Sequence, residues 1–97
     1  MKLKTTTPIA GCTETYIGMN KRCRLVVTKI DPDIINGYDK LWYFAIIGRD
    51  SIVFAYNSCV DNLMFSTKEE CVDTAYMKLK ECEESNFSKE LDNVYKK

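Results

Sequence analysis

Five cysteines, fourteen carboxylates and no histidine set the chemistry open to this 97-residue chain. Without an imidazole there is no Ser–His or Cys–His nucleophile pair, no histidine general base and no histidine metal ligand. Cys12, Cys23, Cys59, Cys71 and Cys82 include no CxxC pair. Structural zinc sites favour closely spaced ligand pairs, so neither a metal nor any other cofactor is expected. The odd cysteine count, with no export signal in the sequence, predicts reduced thiols and a cytoplasmic setting, with Cys71 and Cys82 acting as small core hydrophobes. Paired-carboxylate catalysis would need Asp31 with Asp33, or Glu69, Glu70 and Asp73. The first pair reads as turn formers and the second set as a solvated helix face. No phosphate-loop, dinucleotide-binding or nucleophile-elbow spacing occurs among the four glycines. The expectation is a protein that is not an enzyme.

Charge carries more information than any motif. Net charge is zero, yet residues 1 to 30 hold six Lys or Arg against Glu14 alone, and residues 31 to 97 hold thirteen carboxylates against eight bases. Opposed poles of this kind raise encounter rates and fix register with a charged partner more than they add affinity. The basic pole centres on Lys21, Arg22, Arg24 and Lys29. The acidic pole contains Glu69, Glu70, Asp73 and Glu84 in one predicted helix. No apolar run approaches the roughly 18 to 20 residues of a membrane span, so no membrane partner is expected.

The elements that must position these residues read as strands first and helix last, within one domain over residues 1–97: a sheet over about 13–60 and a helical part over about 66–96. Thr13 to Ile17, closed by Gly18-Met19-Asn20, predicts a short strand forming a hairpin with the β-branched run Cys23 to Ile30. Asp31-Pro32-Asp33 through Asn36-Gly37 predicts a turn, with positive φ at Asn36 or Gly37. Leu41 to Ile47, the most apolar run, predicts a central strand, and Ile52 to Tyr56 a fourth. Ser66 with Glu69, or Thr67 with Glu70, supplies an S/T-x-x-E capping box at the start of a helix over about 67–84. Cys71, Ala75, Leu79 and Cys82, widened by Val72 and Tyr76, form its buried stripe, with Glu69, Asp73, Lys80 and Glu84 opposite. Phe87, Leu91 and Val94 or Tyr95 predict a short second helix. The fold class is therefore α+β: a three- to four-stranded antiparallel sheet with a helix packed on one face and a short C-terminal helix.

Trp42-Tyr43-Phe44 on a strand, followed by Phe65-Ser66-Thr67-Lys68-Glu69-Glu70-Cys71 opening a helix, resembles small three-strand-plus-helix DNA readers of the AP2-like and integrase arm-binding kind. The resemblance spans about thirty residues and implies nucleic-acid binding through the basic hairpin, with Tyr16, Tyr38, Trp42 and Tyr43 as stacking platforms. The chain departs from that pattern in its neutral charge and its pI near 6.2. The acidic helix points instead to a protein partner with a basic, phosphate-reading groove. In that respect the chain resembles in principle the small phage-encoded inhibitors that block nucleases and CRISPR effectors. The leading expectation is such a phage or mobile-element inhibitor of a nucleic-acid-processing host defence protein, acting by surface occlusion. The alternatives are a DNA- or RNA-binding module and an accessory subunit of a larger complex.

Overall fold

The computed structural model describes residues 2–20, 23–35, 37–48 and 54–84, with the side chains of 54, 55 and 82–84 left aside. Five strands precede one helix: β1 (Lys4–Thr6), β2 (Cys12–Met19), β3 (Cys23–Ile30), β4 (Trp42–Gly48), β5 (Phe54–Asn57) and α1 (Lys68–Glu84). The strands form one antiparallel sheet in the order β1-β2-β3-β4-β5, each paired with its sequence neighbour. The α+β class and the helix after the sheet are as expected from sequence. The strand count is not.

The additional strand is β1, whose Lys4-Thr5-Thr6 is exposed throughout and carries no apolar alternation. It is a strand because β2 offers a free edge, pairing Lys4 with Ile17 and Thr6 with Thr15. A lysine on a three-residue edge strand also discourages further pairing. β2 runs on through Gly18 and Met19, which sequence assigns to a turn, because they pair with Leu25 and Arg24. The hairpin closes at Asn20 instead. Its backbone N–H donates to the Cys23 carbonyl at 3.0 Å, and its Oδ1 accepts from Cys23 N–H at 2.7 Å. Gly37 sits at φ +85°, the left-handed conformation that the turn over 31–37 called for. The expected second helix lies in residues 85–97, outside the described residues.

The core lies between α1 and one face of the sheet. Leu25 and Val27 of β3, Phe44 and Ile46 of β4, and Cys71 and Ala75 of α1 are all buried, joined by Cys23, Trp42, Phe65 and Leu79. Strand alternation accounts for the β3 set, since residues 23, 25 and 27 share a face. On α1, Cys71, Ala75 and Leu79 recur every four residues and form one stripe. Tyr76, expected to widen that stripe, is exposed. The helix begins where Thr67 caps it: Glu70 N–H donates to Thr67 Oγ1 at 3.2 Å, and Thr67 Oγ1 donates to Glu70 Oε1 at 3.2 Å. Of the two capping boxes legible in sequence, the structure uses Thr67 and Glu70.

Two pins hold the helix start against the sheet. Trp42 N–H donates to the Phe65 carbonyl at 3.0 Å, and Phe65 N–H returns to the Trp42 carbonyl at 2.8 Å. Ser58, fully buried, donates its N–H to the Phe44 carbonyl at 2.9 Å and accepts Phe44 N–H on Oγ at 3.0 Å. The segment linking β5 to α1 is thus stitched to β4 at both ends.

Candidate partner-binding surface

The outward side of α1 gathers most of the predicted acidic site. Glu69, Glu70 and Asp73 are exposed there, and Glu81 joins them, with Lys80 as the exposed base. Glu70 is already engaged by the Thr67 cap, so its charge is presented with its side chain held. Glu84 ends the helix, with its side chain outside the described residues.

Two of the three lysines of the same helix are turned aside, Lys80 remaining exposed. Lys68 Nζ lies 4.1 Å from the centroid of the Tyr16 ring on β2, and Lys78 Nζ lies 4.5 Å from that of Tyr56 on β5. Each ammonium is held by a ring's negative face, one on either flank of the helix. Lys78 also pairs with Glu81 at 3.4 Å. Both lysines are half-buried, and their long apolar stems can cover the seam between helix and sheet. A sequence in which acids and bases alternate therefore folds so that carboxylates dominate the outer surface. Composition alone does not reveal this, because which lysine folds back depends on the aromatic residue that the sheet places beneath it.

Beside the N-terminal end of α1, Tyr16 joins a polar and aromatic cluster. Its ring stacks on Trp42 with centroids 6.2 Å apart, and its hydroxyl donates to Glu14 Oε1 at 2.9 Å. That hydrogen bond, then burial, then the negative charges of Glu14 and Glu69 raise the phenol above its ordinary value. The phenol stays protonated at neutral pH and keeps the ring available to Lys68.

Met77 projects from the same outward side of α1 and is 69% exposed. Its place four residues after Asp73 and opposite the buried stripe is a matter of helical spacing, although apolar character on a polar face gives no sequence motif. An exposed apolar side chain with Asp73 and Glu81 four residues to either side and Lys80 three residues on has the composition of a small protein-contact patch, with an anchor at its centre and charge at its rim.

The basic site is not assembled in this way. Arg24 and Lys29 both lie on β3 but at positions of opposite parity. Lys29 pairs across to the core residue Trp42, on the helix side, whereas Arg24 pairs with Ile47, on the far side. The pleat separates the two charges by the thickness of the sheet. Lys21 and Arg22 lie outside the described residues. The proposed stacking platforms are dispersed as well. Trp42 is buried beneath the helix side, Tyr38 stands exposed in the β3–β4 connection, and Tyr43 is half-buried. Tyr43 faces away from the helix, because its neighbours Trp42 and Phe44 both enter the core. Burial above all, and then Cys12 and Cys59 beside it, push the Tyr43 phenol up to about 12.

Cys12, Cys23, Cys59 and Cys71 are free thiols, Cys23 and Cys71 in the core. Burial pushes the Cys71 thiol up to about 12, which keeps it protonated and unreactive. No cluster of three or more metal-ligating side chains occurs among the described residues. No helix among them is long and apolar enough to cross a membrane. No protein-family model, curated protein or solved structure matches the chain.

Proposed function

We propose that this protein is a non-enzymatic binding protein that occludes a basic surface on a protein partner with the outward side of α1. The partner class this fits best is a nucleic-acid-processing host protein, whose phosphate-reading groove the helix carboxylates would occupy, in the manner of a small phage or mobile-element inhibitor. The observation that carries the reading is the placement of Lys68 and Lys78 on the Tyr16 and Tyr56 rings, which leaves Glu69, Glu70, Asp73 and Glu81 on the exposed side of the helix together with Met77, and Lys80 as its one exposed base. An ordinary solvated helix has its charges mixed over the exposed face, and a mixed face gives little directional field. The split of Arg24 and Lys29 between the two sides of the sheet counts against direct nucleic-acid binding, which needs bases along one continuous track.

The test compares the native chain with Glu69→Lys, Asp73→Lys and Glu81→Lys combined, leaving Glu70 in place because it serves the cap. Affinity capture from nuclease-treated bacterial lysate should retain a basic nucleic-acid-processing protein on the native chain and lose it on the variant. Loss should come mainly through slower association, with strong salt dependence. The native chain should leave duplex and single-stranded DNA and RNA unretarded at about 150 mM salt. Tight nucleic-acid binding under those conditions, abolished by Arg24→Glu, would replace this reading with the nucleic-acid one.

A further inference from the structure

A second contact site, sharing no residue with α1, lies at the end of the sheet where two connections meet. Ile30, Ile35 and Tyr38, from the end of β3 and the β3–β4 connection, face Cys59 and Met64, from the β5–α1 connection, across a concave pocket of about 310 Å³. That volume falls at the lower end of the range for preformed binding pockets. Its walls are held by backbone hydrogen bonds on both sides. In the β3–β4 connection, Asp31 N–H donates to the Gly11 carbonyl at 2.9 Å and Ile34 N–H to the Asp31 carbonyl at 3.0 Å, while Asp31 Oδ1 accepts Asp33 N–H at 2.9 Å. In the β5–α1 connection, Asn62 N–H donates to the Cys59 carbonyl at 3.1 Å and Leu63 N–H to the Ser58 carbonyl at 2.8 Å. Walls ordered in advance spare an incoming group the entropy of ordering them.

The surroundings of the pocket are both apolar and acidic. Ile34, Tyr38, Val60 and Leu63, on the same two connections, are exposed large hydrophobic residues, more than scattered surface apolar residues would supply over two short segments. Lys40 is the one charged residue in its lining, while Asp31, Asp33 and Asp39 on the one connection and Asp61 on the other give the two connections a net negative charge. A mostly apolar pocket between two connections of net negative charge complements a cationic chain segment that carries one large apolar side chain.

We infer that this pocket docks a short basic segment of a protein partner, with a Phe or Leu side chain seated between Ile30, Ile35, Tyr38 and Met64 and flanking Arg or Lys residues against Asp33, Asp39 and Asp61. Burial of the apolar side chain supplies the affinity and the carboxylates of the two connections fix direction and register. The inference stands apart from the role of α1, and either can fail without the other.

The probe is a fluorescein-labelled peptide with one central Phe between two pairs of Arg, alongside versions with Leu or Ala at the centre and with Glu in place of Arg. Fluorescence anisotropy should show saturable binding of the Phe and Leu peptides. The Ala peptide should bind about tenfold or more weakly, since a buried Phe or Leu side chain contributes more than one decade of affinity. The Glu-flanked peptide should not bind. Tyr38→Ala, at a residue 68% exposed, and Asp33→Lys with Asp39→Lys should each weaken the Phe peptide while circular dichroism stays unchanged. The Glu69→Lys, Asp73→Lys variant of α1 should bind it as the native chain does. Methyl chemical-shift mapping on the native chain reports the site without any substitution and should move Ile30, Ile35 and Met64. Equal binding of the Ala and Phe peptides, shifts confined to α1, no saturable binding, or concentration-dependent self-association that occupies the same methyls would each overturn the inference.

Discussion

Replacing Thr28 with Val should destabilise this protein far more than so conservative a change usually does. Thr15 and Thr28 pair across β2 and β3 and are both buried. Their hydroxyls lie 2.9 Å apart. Thr28 Oγ1 donates to the Glu14 carbonyl at 2.8 Å, which uses its single proton. Thr15 is therefore the donor in the bond between the two hydroxyls, while its oxygen accepts Ile9 N–H at 3.1 Å. One polarised chain runs from Ile9 through Thr15 and Thr28 to Glu14, beside the irregular register between Cys12 and Glu14. Valine keeps the shape and the β-branch but removes the Thr28 donor, and it leaves the Thr15 hydroxyl buried without its acceptor. Two lost hydrogen bonds at roughly 1 kcal/mol each give about 2 kcal/mol, which corresponds to a melting point lower by about 8 to 16 °C in a domain of this size. Urea unfolding followed by the fluorescence of Trp42, buried in the core, should show a lower midpoint at unchanged slope. Thr15→Val with Thr28→Val should cost less than the two singles added, by about 0.5 kcal/mol or more, because the double variant removes the stranded hydroxyl. A loss below about 0.5 kcal/mol for Thr28→Val, or strict additivity in the double-mutant cycle, would refute the chain as drawn.

Other outcomes follow from the same structure. Thr67→Ala should lower stability by about 1 kcal/mol by removing the helix cap, whereas Ser66→Ala should change it by less than about 0.5 kcal/mol; thermal melts of the two variants check this. Iodoacetamide at neutral pH should label the exposed Cys59 and spare Cys71, whose thiol burial pushes up to about 12, until urea is added, as read by peptide mass spectrometry. Tyr43 titrates near 10.0 when unfolded and about 12 when folded, so the folded state holds the extra proton. Stability should be intact below about pH 10 and fall as pH rises towards 12, and Tyr43→Phe should flatten that decline in urea melts recorded across the interval.

The two proposed contacts differ in physical character. The α1 surface is charge spread around one flexible side chain, so it should act mostly on association rate and respond steeply to salt. The pocket between the connections is apolar with walls hydrogen-bonded in place, so it should act mostly on dissociation and respond less.

Apolar and β-branched runs bounded by turn residues made the main strands readable, and the helix was readable because burial of one face imposes a spacing of four on Cys71, Ala75 and Leu79. The T-x-x-E spacing placed the helix start within a residue for an equally local reason, since a cap is made between neighbours in sequence. β1 was invisible to that logic. Lys4-Thr5-Thr6 has no pattern of its own and is a strand only because β2 presents an unpaired edge. The predicted acidic residues Glu69, Glu70 and Asp73 do share one surface, as helical spacing dictates. Of the basic residues grouped in sequence, Arg24 and Lys29 do not, because an odd separation of five along a strand sends them to opposite sides of the sheet. Net charge says nothing of where charge resides. Only the tertiary structure decided that Lys68 and Lys78 would fold onto Tyr16 and Tyr56, and that two connections separated by β4 and β5 would line one largely apolar pocket, since both depend on contacts between segments that sequence neighbours cannot specify.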